Sequence, residues 1–181
     1  MEALLIIDMQ VGMLESEAPP RDVDLVVQRI NAVASAMRNS NRLVIFIQHC
    51  GPKGDPFAPG ESGWSFLPSL ERTENDLVVS KTTCDAFYKT ELDTLLQQHQ
   101  IDELVITGWA TDFCVDTTIR AAASRDYDIT VIGDAHTAAD RTHLDAASII
   151  QHHNSTWSAL IVPRRHIRIV MADAVVRQLS G

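Results

Sequence analysis

The chain has 181 residues, a mass of 20.0 kDa and 45% hydrophobic content, enough for one domain over residues 1–181 with its own core. A net charge of -9, with no basic run longer than Arg164-Arg165, argues against a nucleic-acid or anionic-membrane partner and leaves a small molecule as the expected ligand. Cys50, Cys84 and Cys114, an odd number without CxxC spacing, exclude a disulfide framework or zinc knuckle, and the short apolar start lacks the basic region of a signal peptide and the length of a membrane span, so a cytoplasmic location is expected.

In chain order, residues 3–7 form an apolar run that ends at Asp8, and 22–38 repeats Val23, Val26, Val27, Ile30, Val33, Ala34 and Met37 at helical intervals. A second strand, 43–47, leads into Gln48, His49 and Cys50. The rhythm then stops: residues 50–73 carry four of the seven prolines and four of the eight glycines, with Phe57, Trp64 and Phe66 among them, as expected of a lid or an oligomer contact. The third strand, 77–79, runs through Ser80 to Lys81, and a helix over 91–98 places Leu92, Leu95 and Leu96 on one side. The fourth, 103–107, is followed by Gly108 and a helix over 111–125 with Val115, Ile119, Ala122 and Ala123 inward. After a fifth strand, 129–132, Asp134-Ala135-His136 offers a chelating spacing but reads as turn residues closing the strand. Helices over 142–151 and 172–179 flank the sixth strand, 167–170. Continuous apolar runs alternating with helices predict a three-layer α/β fold whose parallel sheet is covered on both faces.

Such sheets bind ligands at the carboxyl ends of their strands, where the winding reverses. Asp8, Lys81 and Cys114 all follow strands, so an acid, a cation and a nucleophile gather at one edge. Thr111 is the expected N-cap of the helix carrying Cys114, which puts the thiol in a first turn, where free amides and the helix dipole lower a thiol pKa and can hold an oxyanion. His49 follows the second strand at the same edge. Dinucleotide and P-loop glycine patterns are absent, and Asp8-Met9-Gln10 lacks the second aspartate of an aspartyl phosphotransferase. His152 and His153 diverge by about 100° on a helix and share an ion poorly. Neither a cofactor nor a metal is expected.

Taken together, Asp8-Met9-Gln10, Ser80-Lys81 with Phe87 and Thr90-Glu91-Leu92, and Gly108-Trp109-Ala110-Thr111-Asp112-Phe113-Cys114-Val115 resemble the three motifs of the isochorismatase-like cysteine hydrolases, which include nicotinamidases, N-carbamoylsarcosine amidases and ureidoacrylate or biuret amidohydrolases. The resemblance implies a six-stranded Rossmann-like sheet of order 3-2-1-4-5-6, a triad of Asp8, Lys81 and Cys114, a cis Trp109–Ala110 peptide, and an oxyanion hole made by the Ala110 and Cys114 amides. Gln48-His49-Cys50 replaces the nicotinamidase metal motif, which counts against nicotinamide and against a metal. The cysteine counts against vinyl-ether hydrolysis, since true isochorismatases lack it. The activity implied is hydrolysis of a small amide or similar C–N bond through a thioester. His49, Trp64, Phe87, Trp109 and Phe113 are the candidate pocket wall, and Gln10 and Gln48 are candidates to orient substrate. A homo-oligomer, dimer or tetramer, is expected. The competing reading is a non-catalytic binding or thiol redox-sensing protein that keeps the same pocket.

Overall fold

The computed structural model describes residues 1–16, 18–162 and 165–180, so Arg164 of the basic pair lies outside them. The first strand, β1 (Glu2–Ile7), shows why the sheet must be covered twice. Its alternate residues Ala3, Leu5 and Ile7 pack with Ile45, Ile47, Leu104 and Ile106 on one face, while Leu4 and Ile6 pack with Val44, Phe46 and Val105 on the other. Each of these side chains is essentially removed from water, which for Leu or Ile is worth about 1.5–3 kcal/mol.

Around β1 stand β2 (Leu43–His49), β3 (Leu77–Lys81), β4 (Glu103–Trp109), β5 (Asp128–Thr137) and β6 (Ile167–Val170), all parallel, in the order β3-β2-β1-β4-β5-β6. Helices α1 (Val23–Asn39) and α5 (Ala172–Ser180) cover one face. The other is covered by α2 (Leu92–Gln98), α3 (Asp116–Ala123) and α4 (Ala146–Ser158), through Leu92, Leu96, Ile119, Ala122 and Trp157. The winding reverses between β1 and β4, so the carboxyl ends of these two neighbours frame the crevice.

At three places local chemistry shifts the expected boundaries. β5 continues through Asp134-Ala135-His136, which are strand residues and not a closing turn: its register on β4 jumps from Ile106↔Val131 to Gly108↔His136, a bulge that re-aims the strand end. The helix expected over 142–151 begins at Ala146, because the Asp145 side chain caps it by accepting from the Ser148 amide at 2.8 Å, and it runs on to Ser158 through a polar stretch with little apolar periodicity. The turn after β4, Thr111–Val115, is a widened π-helical turn whose N-cap is Ala110, so Thr111 lies inside it and does not cap it.

Gly108, the penultimate residue of β4, has φ 126°, and a Cβ there would run into the backbone of Ile7. Only glycine lets β4 approach β1 this closely. The segment 50–73 is tied to the body. The Leu67 amide bonds the Met9 carbonyl at 3.0 Å, Val11 bonds the Ser65 carbonyl at 2.8 Å, and Leu67 and Leu70 are buried against the α1 side of the core.

Candidate active site

Asp8 is the residue immediately after β1, Lys81 the last residue of β3, and Cys114 the fourth residue of the turn after β4. The Asp8 backbone is left-handed (φ 50°), a conformation aspartate tolerates better than most residues, and its amide is held by the Ile47 carbonyl at 3.0 Å. β2 stands between β3 and β1, and the long Lys81 side chain spans that gap to reach Asp8 in the crevice, where it is fully buried. Its ammonium donates to Asp8 Oδ2 at 2.6 Å, Cys114 Sγ at 3.3 Å and the Thr83 carbonyl at 3.0 Å, so all three of its protons are placed. The structure thus brings together the three residues that the strand ends had pointed to.

Electrostatics depart from expectation at the sulfur. Burial pushes the Cys114 thiol up and the Asp8 carboxylate pushes it further, and Lys81 only partly opposes them. The expected lowering by a helix terminus and Lys81 is therefore overturned: desolvation penalises the thiolate, and half of the ion pair beside it carries the wrong charge. Asp8 is raised by burial against the pull of Lys81. Burial works to lower Lys81, but the Asp8 charge and Cys114 outweigh it and hold the ammonium firmly protonated. The ion pair with Lys81 favours the carboxylate form of Asp8, and burial favours the thiol form of Cys114.

Above this set lies a cavity of about 340 Å³, near the small end of ligand sites, lined by Asp8, Cys114 and Ala110 with His49, Trp109 and Phe113. Asp55, Phe57, Cys84 and Arg141 complete its wall. Among the described residues four buried side-chain atoms lack a hydrogen-bond partner, and three of them, Asp8 Oδ1, His49 Nδ1 and Trp109 Nε1, belong to this lining. Buried polar atoms are normally satisfied, so this concentration marks the place where a ligand's polar groups belong. His49 is kept neutral, its pKa lowered by burial and by Lys81. The Trp109–Ala110 peptide is cis. The Phe113 and Val115 amides both close onto the Ala110 carbonyl, and the Cys114 amide between them takes no part in that closure.

Four expected site residues are placed elsewhere. Gln10 is wholly buried as a strap, its side chain bonding the His49 amide and carbonyl and the Trp64 carbonyl. Gln48 bonds the same Trp64 carbonyl at 2.9 Å. Trp64 turns its indole to Cys50 Sγ at 3.2 Å and borders a separate groove with Gln48, Phe66 and Arg72. Phe87 is buried in the α2–α3 core, stacked on Tyr127 with Arg125 over its ring. Of the wall residues missed by sequence reasoning, Phe57 stacks on Trp109 at 6.2 Å, and Arg141 grips Asp112 with two hydrogen bonds of 2.8 and 3.0 Å while lying over Phe113.

Behind the Cys114 turn a buried relay fixes its first residue. Thr111 Oγ1 lies 2.8 Å from His136 Nδ1, His136 Nε2 lies 2.9 Å from Asn154 Oδ1, and Asn154 donates to the Gly133 carbonyl at 2.9 Å. Asn154 Oδ1 can only accept, so the His136 proton sits on Nε2 and Thr111 donates to Nδ1. Burial lowers the His136 pKa to about 4, which keeps that tautomer neutral. Asp134 faces other partners, Arg29 at 3.0 Å and the Ala172 amide at 2.9 Å, so the two ends of the chelating spacing are separately engaged. Among the described residues no cluster of three or more His, Cys, Asp or Glu is arranged to hold a metal ion.

Residues 2–156 match the family model of the Isochorismatase domain. The chain belongs to the isochorismatase family. It is similar to streptothricin hydrolase of Streptomyces noursei, 31% identical over 139 residues that make up 77% of this chain and 55% of that protein, so it spans about half of that relative's length. To the uncharacterized isochorismatase family protein YecD of Escherichia coli O157:H7 it is 31% identical, over 84% of each chain. A solved isochorismatase family protein superposes with a TM-score of 0.84 at 31% identity, over 93% of this chain and 97% of that one. The family read from the three motifs and the strand order it implied are both borne out. The chain is thus an isochorismatase-family protein of α/β fold, and no helix among its described residues is long and apolar enough to cross a membrane.

Proposed function

We propose that this isochorismatase-family hydrolase cleaves a small amide, or a related carbon–nitrogen bond other than a peptide bond, through a thioester formed on Cys114. The observation that carries the reading is the buried Lys81 ammonium held between Asp8 Oδ2 at 2.6 Å and Cys114 Sγ at 3.3 Å, beneath a cavity that Asp8 and Cys114 both line. A base, a nucleophile and a cation that supports both are within reach of one carbonyl.

The chemistry follows from the resting charges. As Cys114 sulfur bonds to the substrate carbonyl carbon, its proton passes to Asp8, whose Oδ1 carries no other hydrogen bond. The Ala110 and Cys114 amides receive the oxyanion. When the carbon–nitrogen bond breaks, Asp8 returns the same proton to the leaving nitrogen, and the acyl group stays on sulfur. Asp8 then takes a proton from water as it attacks the thioester, releasing the acid and restoring the thiol. His49, Phe57, Trp109 and Phe113 are the side chains we assign to substrate contact. A redox-sensing role has less support, because it is the thiolate that attacks peroxide and the surroundings of Cys114 favour the thiol.

Ammonia or amine release from a panel of small carboxamides, with intact-mass analysis of protein quenched during turnover, tests the reading. An acyl increment that maps to Cys114 is expected. An increment on Cys50 or Cys84, or release of product with Cys114 never acylated, rejects it.

A further inference from the structure

The charges on the cavity wall do not balance. Asp8 is neutralised by Lys81, and Arg141 by the bidentate contact with Asp112. Asp55 forms no ion pair among the described residues, and only its Oδ1 is engaged, accepting from the Phe57 amide at 2.8 Å. Its carboxyl group lies against Gly51, where a Cβ would strike it, so the backbone has been pared back to make room. The position is half-buried, where a lone carboxylate has lost part of its hydration without gaining a counter-ion. A chain of net charge -9 adds a field of the same sign.

The neighbours of Asp55 favour a positive group. His49 meets Phe57 edge-on at 5.8 Å and Phe57 stacks on Trp109 at 6.2 Å, an aromatic wall of the kind that accommodates cations beside a carboxylate. His49 is neutral and does not repel one. The Arg141 guanidinium, the cation on this wall, is locked to Asp112.

We propose that the substrate carries, beyond its scissile amide, a cationic nitrogen group such as an ammonium or amidinium, and that Asp55 with the Phe57–Trp109 wall recognises it. The inference rests on the amide-hydrolase reading. Asp55 acts here as a specificity determinant, separate from the bond-breaking residues.

The test uses isosteric pairs that differ in charge: β-alaninamide against butanamide for the acyl half, N-aminoethylacetamide against N-propylacetamide for the leaving half, and succinamate as the anion. In one pair the cationic member should exceed its neutral isostere in kcat/KM by about tenfold or more, mainly through KM, as expected for a hydrogen bond to a charged group. Asp55→Asn keeps the acceptor for the Phe57 amide and should collapse that ratio toward one. Preference for the neutral or anionic members, or a ratio untouched by Asp55→Asn, overturns the inference. Calorimetric binding of the same compounds to Cys114→Ala separates the two levels of argument. Charge-selective binding without hydrolysis of any compound would sink the amide reading alone, hydrolysis without charge selectivity would sink the inference alone, and neither binding selectivity nor hydrolysis would sink both.

Discussion

Asp8→Asn should move two properties of Cys114 in opposite directions. Asparagine keeps the size of the side chain and removes its charge, so the field of Lys81 is no longer cancelled at the sulfur. Lys81 Nζ is 3.3 Å from Sγ, and unit charges at that separation interact by about 5 kcal/mol at an effective dielectric of about 20. At about 1.4 kcal/mol per pKa unit the upper bound is a shift of three to four units, and allowing for relaxation we expect the thiol pKa to fall by about two to three. The thiolate fraction near neutral pH then rises about 10² to 10³-fold, of which the weaker nucleophilicity of a less basic sulfur takes back roughly half on a logarithmic scale, leaving reaction with a small disulfide reagent about 10 to 30 times faster. Turnover should fall by about 10² to 10⁴, because nothing accepts the thiol proton during attack or returns it to the leaving group. The assay is peptide-mapped modification of Cys114 as a function of pH beside steady-state turnover, with circular dichroism confirming the fold. Slower modification in a folded Asp8→Asn protein, or retained turnover, would refute the electrostatic account.

Lys81→Met should also abolish turnover but should make Cys114 less reactive than in the parent, since Lys81 is the influence that lowers the thiol; faster modification would contradict its placement between the two acidic groups. His136, with its folded pKa lowered to about 4 by burial, takes up its proton far more readily unfolded, so the stability it contributes is intact above about pH 6.5 and is lost as the pH falls toward 4, by about 3 kcal/mol in all. Denaturant midpoints at pH 7.5 and 5 should show about 2 kcal/mol of that loss in the parent and a flatter response in His136→Gln. Gly108→Ala forces a side chain into the Ile7 backbone at φ 126°, and should cost well over the about 1 kcal/mol of an ordinary glycine replacement; a midpoint within that range in thermal unfolding would mean that β1 and β4 yield more easily than their packing implies.

The parts legible in the sequence are those that burial alone dictates. Residues 3–7, 43–47 and 103–107 read as strands because both faces are covered and nearly every position is apolar, Glu103 and Thr107 excepted, and the residues just past each run lie at the crevice edge. That logic found Asp8, Lys81, Cys114 and His49. It could not find the bulge in β5, since the advance from Val131 to His136 against two residues of β4 leaves no mark in hydrophobic pattern. Nor could it separate a first-turn N-cap from a π turn, because Thr111 is a good residue for both, and its hydroxyl is in fact claimed by His136. In the 50–73 segment size misled: Trp64 looked like the wall, but its carbonyl and indole serve as anchor points, and the smaller Phe57 is carried onto Trp109 by the turn that Asp55 ties. Asp55 and Arg141 have no local signal at all, because what matters at each is whether another charge reaches it in space.

The neutral resting thiol is consistent with the task rather than at odds with it. A free thiolate lining a substrate cavity would react with any oxidant or electrophile that entered it, whereas here ionisation is opposed by burial and by Asp8. The opposition is self-cancelling during attack. In the proposed mechanism the charge that penalises the thiolate belongs to the group that removes the proton, and once Asp8 has taken it the repulsion is gone and Lys81 faces only the sulfur. Burial raises Asp8 at the same time, making it a better base than an ordinary carboxylate and narrowing the gap to the thiol. Proton transfer and carbon–sulfur bond formation are therefore expected to proceed together: the proton stays within the three groups, the negative charge leaves Asp8 for the substrate oxygen, and Lys81 remains protonated throughout. On that proposal the burial and full hydrogen bonding of Lys81 have a use: a mobile ammonium would follow the carboxylate and leave the charge developing beside the sulfur uncompensated.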